Sequence, residues 1–255
     1  MAQEDDVKIL ERGNIYFFYR PKVGAEHPQS ESEIQRFYMV MSPDEDKHYR
    51  LAVMGRKELP EPEESGHQRY WGYVTSVKRS PEDIRDELGE ETYSTKTRGE
   101  RTIGAARPAG EGVYKILVHK GHTHLAYVLE LPRKPDDVQQ ELNIEDQASY
   151  VITVKNPDKP SPKSMGISAR QQAEYPAELM EKFRGRRFSE VDPPGLLDYE
   201  GAQFVLVAAS DNIKEELGAQ IKRENESVEN ADIFTDLKID PGKRPKKPLF
   251  EGRWE

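Results

Sequence analysis

Short runs of aromatic and β-branched residues, separated by stretches rich in Pro, Gly, Ser and charge, dominate the first third of the chain. Four such runs cover 14–20, 36–41, 49–55 and 70–77, and their length and composition predict strands. In the third, Tyr49, Leu51 and Val53 alternate with Arg50, Ala52 and Met54, a period of two that points to one better-buried face. The first, Ile15-Tyr16-Phe17-Phe18-Tyr19, is apolar on both faces and is expected to be covered on both sides.

The sharpest local pattern is a hairpin over 113–131. Two alternating runs flank Lys120-Gly121, a two-residue turn ending in glycine, and this turn pairs His119 with His122. Counting outward, Tyr114, Ile116, Leu125 and Tyr127 share the core face, while His119, His122 and His124 share the other, which is expected to face solvent. Further strands are predicted over 149–155 and around 204–207. Helices are predicted from Pro81 to Leu88 behind a serine cap, over 135–142 and 176–183, and from Asn212 to Arg223, where Ile213, Leu217 and Ile221 form a narrow stripe. No periodicity survives from Glu90 to Gly112, which therefore reads as a long loop, and the end of the chain reads as an extended tail clipped on by Leu249, Phe250 and Trp254.

These elements predict an α+β fold: a mostly antiparallel, strongly curved sheet or small barrel of about eight strands with short peripheral helices. Residues 1–208 form the body, with a possible subdivision near residue 90, and residues 209–255 supply a peripheral helix and the tail. Phe17, Leu51, Leu125 and Leu206 are expected in one core.

Composition narrows the function classes. At 255 residues the chain can bury a core without staples. It has no cysteine, which excludes disulfides, thiolate metal sites and cysteine nucleophiles and fits a reducing, cytoplasmic location. The acidic start and the lack of a long apolar run leave no secretory leader or membrane span to expect. A net charge of -9 argues against general coating of nucleic acid. The phosphate-loop, dinucleotide, H-E-x-x-H and G-x-S-x-G signatures are all absent.

Three constellations carry candidate chemistry. Lys96, Arg98, Arg101 and Arg107 stand among Gly99, Gly104, Gly110 and Gly112, a combination of guanidinium forks and permissive backbone that suits phosphate or carboxylate; ion pairing within a chain of 47 acids is the plainer explanation. Trp71 and Tyr73, with Tyr16, Phe18 and Tyr38, could stack a base, although a chain with 35% hydrophobic residues needs aromatics for its core. His119, His122 and His124 sit close enough on a hairpin to share a metal ion, with a solvated histidine cluster as the ordinary alternative. Arg184-Gly185-Arg186-Arg187 and the lysines of 243–247 read as a helix C-terminal cap and a solvated spacer.

The first expectation is a non-catalytic binding protein that holds an anionic ligand, a phosphate-bearing small molecule or nucleic acid, through Lys96, Arg98, Arg101 and Arg107 with help from Trp71 and Tyr73. The alternatives are an enzyme using the hairpin histidines as metal ligands or general bases, and an interaction protein displaying its acidic surface.

Overall fold

The structure, a computed structural model, describes residues 7–62, 68–95, 99–161, 171–217, 221 and 231–254. Its strands are β1 (Lys8–Pro21), β2 (Ile34–Pro43), β3 (Tyr49–Met54), β4 (Arg69–Lys78), β5 (Glu91–Thr95), β6 (Gly99–Ile103), β7 (Arg107–His119), β8 (His122–Leu131), β9 (Gln147–Lys155), β10 (Phe188–Glu190) and β11 (Gln203–Ser210). Short helices punctuate them: α1 (Pro81–Glu87), α2 (Asp137–Leu142), α3 (Ala177–Lys182), α4 (Ile213–Leu217), α5 (Asp232–Thr235) and α6 (Lys247–Glu251).

Eight strands close into an antiparallel barrel in the order β9-β11-β4-β3-β2-β1-β7-β8, with β8 pairing back onto β9. On one edge of β9, β8 takes Gln147–Val151, and β10 takes Thr153–Lys155 beyond it. Closure demands strong curvature, and bulges supply it where β1 crosses β7, where β3 crosses β4 and where β9 crosses β11. Gly112 serves the same end: a Cβ there would lie 2.1 Å from the Val128 carbonyl oxygen, so a side chain would push β7 and β8 apart.

The interior is filled. Ile15, Phe17 and Tyr19 of β1 point inward against Tyr127, Tyr150, Leu125, Phe204 and Leu206. Phe17 meets Tyr127 edge-on at 5.2 Å, and Tyr127 stacks on Tyr150 at 6.4 Å. At one end of β1, Trp254 meets Tyr19 at 5.4 Å, so the chain terminus helps to close that end of the barrel. The both-faced run in β1 is explained by a second, outer layer. Tyr16, Phe18, Tyr38, Val40, Leu51 and Val53 pack beneath Ile84 and Leu88 of the α1 region and Ile233, Leu237 and Leu249 of the C-terminal segment. Leu51 therefore belongs to this outer layer, while Phe17, Leu125 and Leu206 share the interior.

Two sequence readings change. The described residues between Glu90 and Gly112 form a two-stranded ribbon, β5 against β6, followed by the start of β7. The glycines that broke the period in β7 are strand residues in close backbone contact. The ribbon springs from a closed base, where the Ala106 amide donates to the Leu88 carbonyl. Arg20, 1% exposed, pins this base by donating to the carbonyls of Glu87, Gly89 and Gly104. The C-terminal segment is likewise no extended tail. It folds into α5 and α6, and Glu111, wholly buried, accepts from the Ile233 amide at 2.7 Å.

Candidate functional site

Three polar regions stand out against this frame. One is a groove of about 580 Å³ on the outside of β4. Strand alternation aims Tyr70 and Val74 inward, so Tyr73 and Thr75 point outward and form one wall. Gln171, Gln172, Glu174, Tyr199, Glu200 and Gly201 complete the groove. Gly201 has φ +85°, and a Cβ there would lie 2.0 Å from the Gln171 carbonyl oxygen, so this corner of the groove accepts only glycine. Among the described residues the lining holds two carboxylates and no lysine or arginine, and Lys78 outside it binds Glu200 at 3.3 Å.

The second region is the end of the barrel opposite Trp254. Arg50 shares the inward face of β3 with Ala52 and Met54 and is 1% exposed. Its guanidinium grips Glu11 with two bonds of 2.6 and 2.9 Å and donates from Nε to Asp198 at 2.5 Å. Tyr114 donates to Glu11 at 2.7 Å, and His48 Nε2 lies 2.7 Å from the same Asp198 oxygen. The bond to Asp198 raises the His48 pKa against the opposing effect of burial. Burial pushes the Asp198 carboxyl up, but the bonds to His48 and Arg50 outweigh it and hold it below its ordinary value. A cavity of about 160 Å³ adjoins this cluster. His48 lines this cavity, with Nε2 bound to Asp198 and Nδ1 buried without a hydrogen-bond partner.

The third region lies under α4. The hairpin register is the predicted one, with His119 opposite His122, and the histidines share a face. That face is not open to solvent at His119 and His124, which are 6% and 4% exposed. Ile213 and Leu217 of α4 pack over Leu117, Ala126 and Val128 there, while His122 remains exposed at the hairpin tip. Ile213 and Leu217 of α4, with Ile221 beyond it, cover this face, and the rest of the helix expected to Arg223 lies outside the described residues. His124 Nδ1 lies 3.2 Å from the Ser149 hydroxyl and 3.8 Å from Glu216 Oε1. Burial, then the neighbouring His119 and His122, depress His124 to about 4. Burial also raises Glu216, with Ser149 and Lys120 opposing. Among the described residues no group of three histidine or acidic side chains could hold a metal ion.

The sequence-nominated ligand residues are distributed differently. Lys96 and Arg98 lie outside the described residues. Arg101 is half-buried on β6, and Arg107, at the start of β7, donates to the Glu26 carbonyl at 2.5 Å. Tyr73 lies in the groove, and Trp71, two positions before it, packs against Phe188 at 5.8 Å. Three strands separate Tyr73 on β4 from Arg107 on β7, so the aromatics and the arginines do not meet in one place. Tyr16, Phe18 and Tyr38 are buried in the outer layer. Sequence reasoning missed Glu11, His48, Arg50 and Asp198. A signal was available for Arg50, a charged residue in phase with Ala52 and Met54 on an otherwise apolar strand. Nothing local marks Asp198, which arrives from a turn 148 residues away.

No described helix is long and apolar enough to cross a membrane. The chain matches no family model, no curated protein and no solved structure.

Proposed function

We propose that this is a non-catalytic binding protein that holds a small polar ligand on the outside of its filled barrel, in the groove of Tyr73, Thr75, Gln172 and Tyr199. The observation that carries this reading is the groove itself. Its volume of about 580 Å³ falls within the range of ligand sites, roughly 300 to 1,000 Å³, whereas the interior is occupied by aromatic side chains. Two tyrosines give flat apolar surface and the glutamines give paired donors and acceptors. With Glu174 and Glu200 and no cation among the described lining residues, the fitting ligand is neutral or cationic. A cytoplasmic setting belongs to the same proposal and rests on the cysteine-free composition.

An anionic ligand is the second reading, favoured by Arg101, half-buried on β6. Ligand-observed NMR against neutral sugars, polyamines and nucleotides separates the two. The groove reading expects neutral or cationic compounds to bind and Tyr73→Ala to abolish binding. Nucleotide binding that survives Tyr73→Ala and is lost in Arg101→Ala would replace it with the second.

A further inference from the structure

The groove and the barrel-end cavity are lined from opposite ends of one short segment. Pro194, Gly195 and Asp198 line the cavity, and Tyr199, Glu200 and Gly201 line the groove. The segment has little freedom between them. Leu196 and Leu197 are wholly buried, and the Asp198 amide donates to the Gly195 carbonyl at 3.1 Å. The Ala202 amide closes the next turn on the Tyr199 carbonyl at 2.9 Å. On the groove side, the Gly201 amide donates to the Val74 carbonyl at 2.7 Å, Glu200 accepts from Lys78 at 3.3 Å, and Tyr199 meets Tyr175 edge-on at 5.0 Å. On the cavity side, Asp198 ties the segment to Arg50 of β3 and to His48 just before it.

Resting on the groove as the ligand site, we propose that Asp198 is its positioning residue: held by Arg50 and His48, it fixes the turn that carries Tyr199 and Glu200, so that protonation of His48 tightens the groove on its ligand. Asp198 lines the cavity and acts on the groove through the residues that follow it. Arg50 keeps its charge at every working pH, so its hold is constant. His48 is the part that varies: a protonated imidazole gives Asp198 a charge-assisted bond, and a neutral one gives at most an ordinary bond. Other charges surround the ring. Asp46 Oδ2 lies 3.7 Å from Nδ1, and Arg12 and Glu45 line the same cavity. Glu11 is turned to Arg50 and Tyr114. Of these side chains the imidazole is the one whose charge changes near neutrality. The bond to Asp198 raises the His48 pKa, so the tight form is present below that raised value and is lost as pH rises through it. By reciprocity, a ligand that prefers the tight form raises the His48 midpoint in turn.

The test uses the full chain with ring-labelled tyrosine, followed by NMR from pH 6 to pH 9 with and without choline chloride, a probe whose own charge does not change with pH. Without choline, the Tyr199 signal, assigned by Tyr199→Phe, should titrate with the midpoint of the His48 ring, while Tyr73 on the opposite wall stays in place. Choline should bind more weakly at pH 9 than at pH 6 by at least about 5-fold, the lower end of common coupling strengths, and saturating choline should raise the His48 midpoint. His48→Gln, which keeps a donor but cannot gain a proton, should remove the pH dependence of Tyr199 and of binding. Where that variant does not fold, the Tyr199 titration of the unmodified protein decides. A Tyr199 signal that ignores the His48 midpoint, or choline binding that is equal at both pH values, would overturn the proposal. If choline fails to bind at either pH while Tyr199 follows His48, the hold of the clamp on the turn stands and the reading of the groove as a site for such cations falls.

Discussion

His48 at the barrel end and His124 under α4 are both almost wholly buried, at 6% and 4% exposure, yet their pKa values move in opposite directions. The difference lies in what was buried with them. At the barrel end, charges of both signs arrive together: Arg50 is matched by Glu11 and Asp198, and His48 shares the Asp198 oxygen. Under α4 the imidazole meets another imidazole, a hydroxyl and apolar side chains, with the Glu216 carboxyl beyond bonding distance at 3.8 Å. Burial alone drives a histidine toward neutrality, and only a carboxylate at bonding distance reverses it. One region is thus a charged clamp and the other a set of uncharged donors.

The clamp breaks with the largest effect. Arg50→Met would leave Glu11 and Asp198 without their common cation, and removing one partner of a buried pair costs about 3 to 5 kcal/mol. Urea unfolding should show that loss, and a change below about 1 kcal/mol would mean that the cluster is solvated.

The pH dependence sharpens the contrast. His124 titrates at about 4 in the folded chain against an ordinary value of 6.5. Below 6.5 the unfolded chain takes up a proton that the folded chain refuses, so stability falls as pH drops from about 6.5 towards 4, by on the order of 3 kcal/mol. His124→Gln should flatten that slope in urea titrations run at a series of pH values. The clamp behaves with the opposite sign. His48 has a folded value raised above 6.5, so its contribution is fully present below 6.5 and is lost as pH rises through the folded value. His48→Gln should therefore destabilise at pH 6 and approach the parent protein in alkaline buffer. The smallest effect belongs to His122, exposed at the same hairpin tip: His122→Ala should change stability by no more than about 0.5 kcal/mol.

Much of the frame was legible in the chain. The alternation over 113–131 and the Lys120-Gly121 turn set the hairpin register, which places all three histidines on one face. The both-faced apolar run at Ile15 to Tyr19 announced two layers. What covers a strand face, however, is a long-range fact. His119 and His124 read as solvated because α4, almost a hundred residues downstream, carries no mark of its destination beyond its apolar stripe. Gly110 and Gly112 misled for a related reason, since a glycine needed for close strand approach looks like a loop glycine until its neighbour is known. The clamp was hidden because its partners are distant: Glu11, Arg50 and Asp198 come from three separate parts of the chain. Tyr73 was nominated from its aromatic strand, but the groove it lines depends on residues 171–174 and 199–201, which no local pattern ties to β4.

The measurement that tests the account most directly is an NMR pH titration of the histidine side chains in the intact protein, each resonance assigned by substitution. The account predicts that His48 titrates above its ordinary value and that His124 stays neutral until the pH falls to about 4. If His124 instead titrates at or above 6.5, the region under α4 is open to water or carries a paired charge, and the distinction between clamp and uncharged donors fails.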